Sequence, residues 1–95
     1  MTMAGKLVFR THAIQRMFER GITEGDVKDT MTNGIIIEEY PDDTPYPSKL
    51  MLGWASGRSI HVVSAYDADD DQDIVITVYE PESTRWSADF KRRKG

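Results

Sequence analysis

Ile74-Val75-Ile76-Thr77-Val78-Tyr79 is the most apolar stretch of the sequence, and it decides the class of fold. Its branched and aromatic side chains favour a β-strand, and its nearly continuous apolar character favours an interior position in a sheet. The stretch ends at Pro81, which has no backbone N–H to donate to a neighbouring strand. We therefore predict a strand over 73–80 at the centre of a β-sheet.

Three further strands precede this one and complete the predicted sheet. They cover 35–40, 49–56 and 59–66, each bounded by turn-forming residues. Ser56-Gly57-Arg58 is a tight-hairpin signal between the second and third of them. The segment 41–48 contains three prolines, so we expect a mobile surface loop there.

Two helices are predicted before the first strand. Thr11 can cap a helix over 12–20, and Gly21 can close that helix in a left-handed conformation. Thr23 can cap a second helix that runs to about residue 32, where an Asn-Gly pair stops it. On a helical wheel the apolar side chains of the first helix span about 140°, and we expect them to face the core. They are Ala13, Ile14, Met17 and Phe18.

The order of these elements predicts an α+β fold. Two N-terminal helices would pack on one face of a four-stranded, mainly antiparallel sheet. The segment 82–90 is a candidate short C-terminal helix, with Trp86 and Phe90 on one face.

Composition narrows the functional classes. The 95 residues predict one domain, 1–95, with frayed ends at 1–6 and 91–95. No stretch has the ~20 apolar residues of a membrane span, and no apolar signal segment follows Met1, so a cytoplasmic protein is expected. The absence of cysteine excludes disulfides, thiolate catalysis and cysteine-bound metal clusters. A net charge of −4 disfavours a protein coated in nucleic acid but allows a local basic site.

One edge of the first helix carries candidate site residues. His12, Arg16 and Arg20 recur at every fourth position and fall within about 80° of one another on the wheel. Arginine binds phosphate oxygens through two hydrogen bonds at once, and a neighbouring histidine can move a proton. The alternative is a solvated polar face on which Glu19 pairs with one of the arginines.

The sheet supplies two further candidates, and an acidic turn supplies a weaker one. His61 and Tyr79 lie in the third and fourth predicted strands, where each is either structural or catalytic. The aspartates between 67 and 73 have the spacing of calcium ligands, but Ile74 occupies the position that an EF-hand loop reserves for glycine. We therefore predict no metal site and no cofactor, and leave open loose binding of an ion at this turn.

Three motifs resemble a known bacterial family. They are His12-Ala13-x-x-Arg16-Met17-x-x-Arg20-Gly21-Ile22, Ile60-His61-Val62-Val63 and Ile76-Thr77-Val78-Tyr79-Glu80-Pro81. Together they cover roughly residues 9 to 81, and they resemble the domain of unknown function 4258 family, which is placed near the RelE-like ribonuclease toxins. The resemblance implies a barnase–RelE-like fold, a metal-independent endoribonuclease activity and a place in a toxin–antitoxin pair.

Two functional interpretations follow. In the first, a 2′-hydroxyl of RNA attacks its own phosphate, with His12 or His61 as base or acid, Arg16 and Arg20 on the phosphate, and Tyr79 as donor or positioner. In the second, the chain is a non-catalytic module that binds a cognate antitoxin or a second copy of itself. Geometry separates the two, because the catalytic interpretation needs both histidines around one cleft.

Overall fold

The computed structural model describes residues 5–94, and these form one five-stranded mixed sheet with two helices. The strands lie side by side in the order β1-β5-β4-β3-β2. In chain order the elements are β1 (Lys6–Phe9), α1 (Thr11–Arg20), α2 (Glu24–Asn33), β2 (Ile35–Tyr40), β3 (Ser48–Ala55), β4 (Arg58–Asp67) and β5 (Gln72–Tyr79).

The prediction of a four-stranded, mainly antiparallel sheet was wrong. β1 is a fifth strand that pairs in parallel with β5, placing Val8 opposite Ile74. A strand of four residues has too little alternation to be recognised from its own sequence. β5 is consequently an interior strand between β1 and β4, and β4 is the middle strand of the sheet.

The hairpin between β3 and β4 is confirmed. Ser56 and Gly57 both have positive φ, at 52° and 80°, and the ladder closes at the pair Ala55 and Arg58. A two-residue turn with this backbone matches the twist of the strands that it joins.

α1 buries a narrower stripe than the sequence predicted. Ala13 and Met17 are buried, whereas Ile14 is 53% exposed and Phe18 is 89% exposed, so their assignment to the core was wrong. The helix contacts β5 near one side of the sheet, and one edge of its apolar arc reaches solvent. The predicted cap was also wrong, because Thr11 lies inside the helix and Arg10 precedes it without a side-chain cap.

α2 packs closely on β3, as its sequence permits. Thr23 accepts a hydrogen bond from the backbone of Asp26, whose carboxylate accepts one from the backbone of Thr23, which confirms the predicted cap. Gly53 of β3 lies against Thr30 of the helix, where a Cβ atom would overlap the threonine side chain. Glycine at this position therefore sets the separation between helix and sheet.

The C-terminal segment, residues 81–94, is not helical, so the predicted short helix over 82–90 was wrong. It folds back in turns, with a bridge between Trp86 and Arg93 and a hydrogen bond of 2.8 Å from the backbone N–H of Lys94 to the carbonyl of Arg85. Of the ends predicted to fray, Gly5 and Lys6 are hydrogen-bonded to Asp71, whereas residues 1–4 and 95 lie outside the described part of the chain. Within that part, no helix is long and apolar enough to cross a membrane.

Candidate functional site

The two faces of the sheet have different coverings. Both helices pack on the face that carries Met51, Ile60, Val62 and Val78. Because neighbouring residues of a strand point to opposite faces, His61 and Tyr79 lie on the other face, which the helices leave free. Their Cα atoms are partners across β4 and β5, and Leu52 faces His61 across β3.

His61 is the centre of this helix-free face. Its side chain is 0% exposed. Nε2 lies 2.8 Å from the carbonyl oxygen of Phe90, so Nε2 carries the proton and donates it to that oxygen. Nδ1 lies 3.1 Å from the Tyr79 hydroxyl and is left to accept its proton. The ring of Trp86 packs perpendicular to the imidazole, with the two ring centroids 4.4 Å apart.

Burial shifts the acid–base properties of both groups. Removal from water lowers the pKa of His61, and the positive charge of Arg93 lowers it further, against opposing effects of the Phe90 carbonyl and Glu38. Burial likewise raises the pKa of Tyr79. The structure thus holds a neutral imidazole beside a protonated phenol.

A second set of polar groups adjoins this pair. Arg93 Nε lies 3.3 Å from a carboxylate oxygen of Glu38, and Tyr40 donates a hydrogen bond to the same side chain. The guanidinium of Arg93 also stacks 4.7 Å above the ring of Trp86. The hydrogen bond to Glu38, followed by burial, raises the pKa of Tyr40. Glu38, Tyr40, His61, Tyr79 and Arg93 together are called the sheet-face cluster below.

The residues predicted on the first helix do not join this cluster. His12, Arg16 and Arg20 are exposed on α1, and the sheet separates that helix from His61 and Tyr79. Arg16 lies 3.7 Å from Glu19 in an exposed ion pair, the alternative that the sequence left open. The five predicted site residues are therefore divided into two groups that cannot serve one cleft.

Three members of the cluster were not predicted from the sequence, for separate reasons. Glu38 and Tyr40 share a face of β2 with the cluster only because a bulge between Ile36 and Glu38 shifts the register. Arg93 belongs to a basic tail, which by composition is typical of a frayed end. Trp86 and Arg93, both in the C-terminal segment, were the available signal, since tryptophan and arginine favour contact surfaces.

The acidic turn is accounted for by its own hydrogen bonds. The Asp67 carboxylate is 2% exposed and accepts hydrogen bonds from the backbones of Asp69 and Asp70 and from the amide of Gln72. Across residues 5–94, no three histidine or acidic side chains are grouped as metal ligands.

Chemically, the sheet-face cluster combines groups that metal-independent phosphoryl transfer needs. A neutral imidazole can accept a proton, a phenol can donate one, and a guanidinium can hold a phosphate. The described conformation also keeps water and ligands from the imidazole, because Trp86 and Phe90 lie over it.

Sequence comparison assigns the chain to a family. The model of the family described as domain of unknown function DUF4258 matches residues 9–80, and the chain belongs to that family. The match confirms the resemblance found in the helix and strand motifs, whereas kinship with RelE-like ribonucleases stays a prediction. No significant similarity to a curated protein or to a solved structure was found.

Proposed function

We propose that this member of the DUF4258 family is a metal-independent endoribonuclease whose acid–base site is the sheet-face cluster. The observation that carries the proposal is the convergence of an imidazole, two phenols, a carboxylate and a guanidinium on one sheet face. Titratable groups gathered in this way, with pKa values shifted by burial, are more frequent at active sites than elsewhere.

The proposed reaction uses the ribose 2′-hydroxyl as nucleophile. Once the Phe90 carbonyl has moved away, the ring proton of His61 shifts to Nδ1, which donates to the Tyr79 oxygen and leaves Nε2 as the acceptor. Nε2 then removes the proton of the 2′-hydroxyl while the 2′-oxygen bonds to phosphorus and the bond from phosphorus to the 5′-oxygen breaks. Tyr40 protonates the departing oxygen, and the products are a 2′,3′-cyclic phosphate and a 5′-hydroxyl. Arg93 stabilises the crowded phosphorane, and Tyr79 orients the imidazole. His12, Arg16 and Arg20 take no part in this step.

Substrate access requires movement of the C-terminal segment. The Phe90 carbonyl occupies the position in front of His61 Nε2, and the ring of Trp86 packs against the imidazole. The segment is fixed to the sheet partly through the pair of Arg93 and Glu38, whose side chains are 61% and 28% exposed. Exposed ion pairs contribute little stability, so breaking this pair costs little and releases Arg93 to bind a phosphate. The larger cost of opening is the exposure of Trp86, which is 4% exposed in the closed conformation.

The helix-free face also offers a contact for bases. Trp54 is 52% exposed and lies on the same face as Leu52 and His61. Stacking of a base on an exposed tryptophan contributes about 1–3 kcal/mol and does not depend on net charge. Single-stranded RNA can therefore bind to a protein of net charge −4 without a large basic surface.

The test is cleavage of a fluorescent RNA oligonucleotide in the presence of a metal chelator. A matched substrate with a single 2′-deoxy sugar at the cleaved position controls for the nucleophile. His61→Gln should reduce the rate by about 10²–10⁴, the usual contribution of a proton-transfer group. His12→Gln is the matched control and should leave the rate unchanged. Absence of cleavage by the unsubstituted protein, or equal rates for both variants, would refute the proposal.

A second candidate function is protein binding through α1. Ile14 and Phe18, the α1 ridge, are one turn apart, and the exposure of Phe18 at 89% is unusual for an aromatic side chain. Under this proposal the ridge binds a cognate antitoxin or a second copy of the chain. Analytical ultracentrifugation at several concentrations tests the second copy, and Phe18→Ser should abolish any dimer. A monomer at all concentrations excludes self-association.

A further inference from the structure

A hollow of about 180 Å³ lies on the helix-bearing face of the sheet. At its floor, Glu39, Lys49 and Ser64 form a row across β2, β3 and β4, because Glu39 pairs with Lys49 and Lys49 pairs with Ser64. Pro41, Pro47 and Tyr66 form part of its walls. The hollow is separate from the sheet-face cluster, since the row points to the opposite face of the sheet.

Ser64 is the residue of the hollow that most directly indicates a binding site. The side chain is 1% exposed, and its hydroxyl has no hydrogen-bond partner among the described residues. Buried hydroxyl groups are nearly always hydrogen-bonded, because leaving one unpaired is unfavourable. The register shift between Val63 and Ser64 marks a bulge, a device that re-aims a side chain and is frequent beside binding sites.

The two charges of the row are also available to a ligand. Glu39 and Lys49 are cross-strand partners, yet within residues 5–94 neither side chain lies in an ion pair of 4.0 Å or less. A bound molecule can therefore meet a carboxylate and an ammonium group that are fixed on neighbouring strands.

The walls of the hollow are apolar and held in place. The Tyr66 hydroxyl donates to Asp71 at 3.0 Å, and its backbone N–H donates to the carbonyl of Pro47 at 3.0 Å. These bonds fix the ring and the loop on either side of the opening. A cavity of about 150 Å³ accommodates benzene in another protein, so this hollow suits an apolar side chain of similar size.

We infer that the hollow binds a small zwitterion, namely a free α-amino acid with an apolar side chain. The ligand carboxylate accepts hydrogen bonds from the Ser64 hydroxyl and the Lys49 ammonium, and the ligand ammonium pairs with Glu39. The apolar side chain lies between the prolines and Tyr66. This site is independent of the proposed ribonuclease activity.

Titration of the ¹⁵N-labelled protein with L-leucine and L-phenylalanine tests the inference by NMR. Saturable shifts are expected at residues around the hollow and not at His61. 4-Methylpentanoate lacks the ammonium group of leucine and isopentylamine lacks the carboxylate, so each should bind at least about tenfold more weakly, the effect expected for loss of one charge-assisted hydrogen bond.

Three substitutions distinguish an effect on ligand binding from an effect on stability. Ser64→Ala should weaken L-leucine binding about tenfold without lowering the melting temperature, because it removes an unpaired hydroxyl. Ser59→Ala, in the same strand but outside the hollow, is the matched control and should change neither quantity. Lys49→Met should weaken binding and supplies the test if Ser64→Ala fails to fold.

Either of two results overturns the inference. The first is the absence of saturable shifts with both amino acids, which would leave a single water as the partner of Ser64. The second is binding of L-leucine that is equally strong in the unsubstituted protein and in Ser64→Ala and Lys49→Met.

Discussion

The burial of His61 should make the free energy of unfolding depend on pH, at pH values above those at which ordinary carboxylates titrate. Its pKa is lowered in the folded chain, chiefly by burial, from the value near 6.5 that it takes when unfolded. Below that pH the unfolded chain binds a proton at His61, whereas the folded chain binds it only at a lower pH. The free energy of unfolding therefore falls as the pH is lowered from about 7, and is recovered as the pH rises.

The size of this change in the free energy of unfolding is limited by the binding of a single proton. A single group can change the free energy of unfolding by at most about 1.4 kcal/mol per pH unit, so the loss between pH 6.5 and pH 5 is at most about 2 kcal/mol. The other groups facing His61 do not reverse this sign, because the effects of Arg93 and Glu38 oppose each other and burial is the largest cause. The phenol of Tyr79, whose pKa is raised, stays protonated throughout the window.

The assay is urea denaturation at a series of pH values from 5 to 7.5. The unsubstituted protein, His61→Gln and His12→Gln are compared, since these are the two histidines of the chain. The slope should persist in His12→Gln, whose side chain is exposed, and vanish in His61→Gln. A slope of equal size in His61→Gln, or stability that increases towards pH 5, would refute the buried, neutral assignment of His61.

Three further predictions concern packing. Phe18→Ala should change the free energy of unfolding by less than about 0.5 kcal/mol, because the ring is 89% exposed, and a loss above ~2 kcal/mol in urea denaturation would place it in a core. Gly53→Ala should lower the free energy of unfolding by about 1–3 kcal/mol, because the new Cβ would overlap Thr30. Gly25→Ala is the matched control, since its new Cβ would make an ordinary 3.6 Å contact. Equal effects of the two substitutions would contradict close packing of α2. Trp86→Ala should cost about 3–5 kcal/mol in the same assay, since the side chain is 4% exposed, and a smaller loss would show that the C-terminal segment is loosely attached.

Short-range patterns determined much of the secondary structure. The strand over 35–40 was predicted with its observed limits, and the Ser56-Gly57 turn and the Thr23 cap were both confirmed. Each of these features depends on residues within a few positions of one another. The motifs of the first helix and the later strands likewise sufficed to indicate the family.

The sequence determined only in part which face of each strand and helix is buried. Strand alternation places His61 opposite the residues that contact the helices, but it does not state what covers that face. The helical wheel of α1 placed Phe18 on the same apolar face as Met17. Whether each of these side chains is buried depends on how far the sheet extends beneath the helix. That distance is a property of the assembled sheet, and it leaves Phe18 in solvent.

Pairing between distant segments was decided by the tertiary structure alone. The strand at Lys6–Phe9 exists because β5 offers it a free edge, and it pairs there with a distant part of the chain, Lys6 lying opposite Gln72. Arg93 joins Glu38 because the C-terminal segment folds back over the sheet. Hydrogen bonds and ion pairs of this kind depend on positions in space that leave no periodic signal in the sequence, so the sequence identified His61 and Tyr79 as candidates while the fold selected their partners.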